Sequence, residues 1–214
     1  MDFKEHEASV VVVGSFNPTI FQPEWFEKNQ LISRPDLDST NIELVHPDIS
    51  RFDLPWCHVD VRQERFTLRC KDEAFFPMVR DLSIGVFKLL EHSPIKATGI
   101  NSIITYHADS DEEWHNIGNT LVPKQIWKKY LSGHVGMTRV SVQAEHRGDE
   151  LPGKINVTVV PVVGKAYRGI VIDINNHIEL DSTERLTLIL SEHWERLQGE
   201  AREMSDSLLM EAAQ

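Results

Sequence analysis

One order of elements can be read twice along this chain. A strand, a short aromatic helix, a group of three strands and a long helix run from about Ser9 to Ser93. The same order recurs from about Lys96 to the C-terminal region. Only the short stretch Glu91–Lys96 separates the two runs, with no Pro/Ser/Gly-rich linker. That predicts one pseudo-symmetric α+β domain over residues 1–214, with half-repeats at about 9–93 and 96–210. Each half would be a β-α-β-β-β-α unit, giving a mostly antiparallel sheet with the long helices packed on one face.

The strongest local signal is a hairpin. Trp56 to Cys70 alternates on both sides of Arg62–Arg65. With Gln63 and Glu64 at the turn centre, Cys57 faces Cys70, Val59 faces Leu68 and Val61 faces Phe66. These six share one face, while His58, Asp60, Thr67 and Arg69 share the other. The cysteines then read as buried thiols acting as small apolar residues.

Elsewhere the pattern is as follows. Val10 to Val13 is a β-branched run, read with its flanks as a strand over Ser9–Phe16. Pro23 and Glu24 suit the first turn of a short helix bearing Trp25 and Phe26. Ile42–His46 is a short strand, and His46–Pro55, with its two prolines, reads as irregular. Phe76–Glu91 is a helix carrying Val79, Leu82, Val86 and Leu90 at helical spacing. Gly85 inside it implies close packing. Gly99 predicts a bulge in the strand Ala97–His107. Glu112–Ile117 reads as a short helix or turn around Trp114, and Pro123–Leu131 reads as a further helical piece. Met137–His146, Lys154–Val163 and Arg168–Leu180 complete the second strand group. The last helix opens at Asp181 or Ser182, with Glu184 closing a box on Asp181. Its stripe runs from Leu186 through Trp194 and Ala201 to Met204 and Leu208, with fraying at the end.

Charge narrows the partner classes. The formal charge is -11. A general nucleic-acid binder needs a basic face and an anionic membrane needs basic segments, so both are disfavoured. Lys124, Lys128 and Lys129 read as a solvated helix face. The N-terminal residues carry no basic or long apolar run of the secretory kind, no segment approaches a membrane span, and two cysteines make no disulfide scaffold. The expectation is a cytoplasmic protein without cofactor or metal.

Two strings invite chemistry. Val12-Val13-Gly14-Ser15-Phe16-Asn17-Pro18 resembles the opening of nucleotidylyltransferases, where a first strand runs into Gly-Ser-Phe-Asp-Pro and then His-x-Gly-His. The resemblance implies phosphate contacts at Gly14, Ser15 and Asn17. The residues after Pro18 are Thr19-Ile20-Phe21-Gln22, so both histidines are missing. The second string is His107, Asp109, Asp111 and His115, which offers metal donors but reads as a solvated acidic loop.

Two wider resemblances concern the whole chain. The duplicated element order resembles the saddle fold of the TATA-binding protein and its relatives, without the basic face of that family. Glu64-Arg65-Phe66, the Phe76 helix, Ile103-Ile104-Thr105-Tyr106-His107 and the helix after Asp181 are similar to a pattern in a sporadically distributed family of uncharacterised bacterial proteins. That likeness implies a bacterial setting and no known activity, and a role in a mobile or defence-type system is a guess set beside it.

No assembled catalytic set is read here. The expected function is therefore a non-catalytic protein-binding or assembly module, taking a protein partner or a second copy. Trp25 and Trp114, in comparable short helices of the two halves, are the candidate contacts. The alternative is a nucleotide- or phosphate-handling enzyme using the Gly14–Pro18 turn.

Overall fold

A computed structural model describes residues 1–164 and 167–213. Among these residues nine strands form one sheet: β1 (Asp2–Gly14), β2 (Asn41–His46), β3 (Ile49–Leu54), β4 (Cys57–Arg62), β5 (Arg65–Cys70), β6 (Ile95–His107), β7 (Val140–Ala144), β8 (Gly153–Val163) and β9 (Arg168–Glu179). Their order is β2-β3-β4-β5-β1-β6-β9-β8-β7. Every neighbouring pair is antiparallel. Among the described residues six α-helices accompany them: α1 (Pro23–Lys28), α2 (Arg34–Asp38), α3 (Phe76–Leu89), α4 (Asp111–Leu121), α5 (Lys124–Trp127) and α6 (Thr183–Ala212). The chain is α+β, with long helices against one antiparallel sheet.

The two long strands β1 and β6 pair along nearly their whole length and lie at the sheet centre. Four strands flank this pair on one side and three on the other. The two halves thus differ in strand number, and the sheet order by itself does not establish a duplication. The extra strand is β3, in the segment expected to be irregular. Its residues alternate strictly, burying Ser50, Phe52 and Leu54. Pro47 and Pro55 stand in turns outside it, where their missing N–H groups cost no ladder bond.

One face of the sheet is apolar and carries the helices. Val10, Val12, Phe52, Val59, Val61, Phe66 and Leu68 are fully buried beneath α3 and the first half of α6. Ile104, Ile170, Ile172 and Ile174 form a second cluster with Ile117 of α4 and the last turns of α6. The hairpin register is as expected: Val59 faces Leu68 and Val61 faces Phe66, with both cysteines free and buried. Burial pushes both thiols above their ordinary range. Close packing at Gly85 is real, since a Cβ there would lie 2.5 Å from a Leu31 methyl.

Other expectations need correction. The first strand begins at Asp2, because its polar N-terminal half pairs with the far end of β6. Gly99 pairs regularly with Val11 and His177, and the irregularities of β1–β6 fall at Phe3/Glu5 and Val13/Gly14 instead. A Cβ at Gly99 would crowd Asn101 Oδ1 at 2.8 Å, so the glycine makes room for a side chain. Helix α5 is a single turn. The cap of α6 is Ser182, whose hydroxyl accepts from the Arg185 N–H, so Glu184 forms no box with Asp181. Helix α6 runs to Ala212, with Leu209 and Ala212 buried, and Gln214 lies outside the described residues.

Candidate functional site

Alternation along each strand sends every second residue to the face opposite the helices. On that face β3 presents Arg51 and Asp53, β4 presents His58, Asp60 and Arg62, and β5 presents Arg65, Thr67 and Arg69. The register sets them in rows. Arg51 stands beside Asp60 and then Thr67, and Arg62 faces Arg65. His58 faces Arg69, and Arg69 faces Ser9 of β1. That last row continues through Asn101, Asn175, Asn156 and Gln143 to the other edge strand. The face is therefore charged at its β3–β5 end and amide-rich beyond the centre.

An open depression of about 850 Å³ lies over the charged end. Its lining includes Arg51, Arg62, Arg65, Arg69 and Lys96 against the carboxylates of Glu43, Asp60 and Glu64. Asp60 accepts from Arg51 Nε at 2.7 Å and from Arg62 Nε at 3.1 Å. Burial works against its charge, but these two guanidinium groups outweigh that and hold the carboxyl below its usual range. Arg69 Nε lies 3.7 Å from Glu7. Burial raises the Glu7 carboxyl despite Arg69 and Lys71 nearby. Arg65 and Lys96 are exposed and make no ion pair among the described residues.

Glu43 and His58 of this lining come together with Asp53, bringing three donors within 4.8 Å of one another. His58 Nδ1 lies 2.6 Å from Asp53, and Arg51 lies 3.9 Å from Glu43. The three donors already engage neighbours within the sheet. The His107, Asp109, Asp111 and His115 string does not converge. His107 stacks on Tyr167 at 4.1 Å, Asp111 approaches Arg168 at 3.5 Å, and Asp109 donates its N–H to Glu113.

The Gly14–Pro18 turn is built for packing. The N–H of Gly14 donates to Glu64 O, that of Ser15 to Pro94 O at 2.8 Å, and that of Phe16 to Gln63 O at 2.7 Å. A phosphate cradle needs such donors aimed outward. Asn17 is exposed, and its side-chain oxygen is taken up in capping the next turn, accepting from Thr19 N–H and Oγ1.

Trp25 is half-buried in α1, against Phe21 at 5.7 Å and Phe26 at 5.2 Å. Trp114 is half-buried in α4 and donates its indole N–H to Gly169 O at 2.9 Å, with Arg168 over the ring. The two rings sit in separate clusters on the helix side of the sheet. The structure thus brings neither tryptophan to the charged face.

What the sequence reading left out is the cationic end of that face. Alternation alone places His58, Asp60, Thr67 and Arg69 on one side of the hairpin. Without β3, Arg51 and Asp53 had no place beside them. No family model and no curated protein matches the chain. The two wider likenesses noted above therefore rest on element order and short motifs alone.

Proposed function

We propose that this chain is a non-catalytic binding module that receives a partner protein on the open face of its sheet. The observation that carries the reading is the two-sidedness of the sheet. One face is covered by α3, α4 and α6, except at the exposed edge strands β2 and β7. The other presents charged and amide side chains in register across nine strands. Rigid strands hold such side chains in fixed positions, which favours recognition. The thiols that could act as nucleophiles are buried and pushed toward the neutral form, which fits a binding role. No helix among the described residues is long and apolar enough to cross a membrane. A cytoplasmic bacterial setting is part of this proposal and rests on composition and on the short motifs.

The test is co-purification from the native source with three baits. These are the wild type, Asn175→Arg on the open face, and Glu192→Arg on the exposed side of α6. A stoichiometric partner, another protein or a second copy, should be lost with the first variant and kept with the second. Loss with Glu192→Arg alone, or retention with both, overturns the assignment of the face.

A further inference from the structure

The charge on the open face is unevenly placed. The whole chain is acidic at -11. Yet the depression over β3–β5 is lined by five Arg or Lys side chains and three carboxylates. Within it Arg51 and Arg62 converge on one acceptor, Asp60. Arg62 and Arg65 stand directly opposite each other across β4 and β5. Asp60 already supplies an anion to Arg62, while Arg65 opposite it has no carboxylate partner among the described residues and is left as the uncompensated charge of the pair. Lys96 lies on the same rim, at the start of β6, and has no carboxylate of its own among the described residues.

We propose that the occupant of this depression is an extended, Asp/Glu-rich segment of a partner protein, held by Arg62, Arg65, Arg69 and Lys96. This deepens the binding reading above and rests on it. Guanidinium groups grip carboxylates through paired N–H donors, so planar forks displayed at strand spacing suit a row of acidic side chains. The rest of the face disfavours a nucleic acid. Glu5 and Glu7 of β1, Asp173 of β9 and Glu179 at its end stand on the same side. A phosphate backbone laid across the sheet would meet them, whereas a short peptide covers the cationic end alone. Attraction of this kind acts on encounter and register, and it weakens with salt.

The test uses the full chain, labelled with nitrogen-15, and an acetylated octaglutamate peptide as probe. Saturable amide shifts are expected at Arg65, Thr67, Arg69 and Lys96, shrinking as salt is raised. Arg65→Glu combined with Lys96→Glu should weaken binding at least about tenfold, with Arg65→Gln intermediate. Both positions are exposed, and an unchanged melting temperature will show that the fold is kept. The proposal is overturned by absence of saturable shifts up to about 5 mM peptide, well past any useful affinity. Equal shifts with octalysine also overturn it, as does tighter binding of a short DNA duplex by the same residues. If octaglutamate fails while partner capture still depends on Asn175, the charge assignment falls and the open-face reading stands.

Discussion

Arg147 places both arms of its guanidinium on Asp149, each 2.8 Å from a carboxylate oxygen. The arginine side chain is only 1% exposed. Its remaining nitrogen donates to Asn176 of β9 at 3.1 Å, and Asp149 also accepts from Arg196 of α6 at 3.0 Å. This loop between β7 and β8 therefore ties the sheet to the last helix. Asp149→Ala would leave a buried guanidinium without its main partner. The expected cost is about 3–5 kcal/mol in urea unfolding, the range for breaking one side of a buried ion pair. An effect near zero would show that Arg196 and the loop do not depend on this pairing.

The same pair predicts a direction with pH. Hydrogen bonds from Arg147 and then Arg196 outweigh burial and hold the Asp149 carboxyl far below its usual range. A depressed folded-state pKa means stability that is fully present above the unfolded value of about 3.9 and lost as pH falls below it. The difference in unfolding free energy between the wild type and Asp149→Asn should be flat near neutrality and narrow as the pH falls below about 4. A difference that widens in acid would place the network elsewhere.

Gly14 is predicted to matter for packing and not for nucleotides. A Cβ there would lie 2.5 Å from the Pro94 carbonyl oxygen and 2.9 Å from the Phe16 ring. The carbonyl belongs to the backbone that receives the Ser15 N–H and cannot retreat cheaply. Gly14→Ala should cost roughly 1–3 kcal/mol, as overpacking does. Calorimetry with ATP or CTP should show no saturable binding. Heat that saturates and is lost in Asn17→Ala would restore the phosphate-handling reading.

Part of this fold was plain in the sequence because burial there is one-sided. Val59, Val61, Phe66 and Leu68 alternate with charged neighbours, so the hairpin and its register could be drawn from periodicity alone. The N-terminal half of β1 could not, since Lys4, Glu5, His6 and Glu7 carry no apolar alternation. Only pairing with β6 makes that segment a strand. The stripe of α6 drifted for a geometric reason. A helix of thirty residues at 3.6 per turn rotates its buried line, which passes from Leu197 and Ala201 to Ser205 and Leu209. Met204 is left on the outer side, and Ser205 is buried with its hydroxyl donating to Ala201 O. The charged face was hidden because it forms only when β3, β4 and β5 stand side by side.

The hairpin gives a direct stability test. Leu68 is fully buried between β1 and β4, in register with Val10 and Val59. Leu68→Ala should cost about 2–5 kcal/mol, depending on how far Phe66 and Val59 relax into the space. In the native wild type Cys57 and Cys70 should resist a thiol reagent, and the variant should label faster through local opening. Rapid labelling of the wild type would contradict the register.

Trp25 and Trp114 separate a packing role from a contact role. Each ring is half-buried and engaged within its own cluster. Trp114 adds an indole hydrogen bond to Gly169 O and the Arg168 guanidinium over its face. Removing a fully buried Trp costs about 3–5 kcal/mol, so these partly exposed rings should each cost somewhat less. Trp114→Phe should keep most of the packing and lose the hydrogen bond, a smaller effect of about 1 kcal/mol. Melting and partner capture are to be measured on the same samples. A marked fall in melting temperature for both alanine variants, with capture retained below the melt, identifies the rings as plugs that close each cluster. Loss of the partner at an unchanged melting temperature makes the affected tryptophan a contact residue. The binding surface would then extend to the helix side of the sheet, away from Arg65 and Lys96.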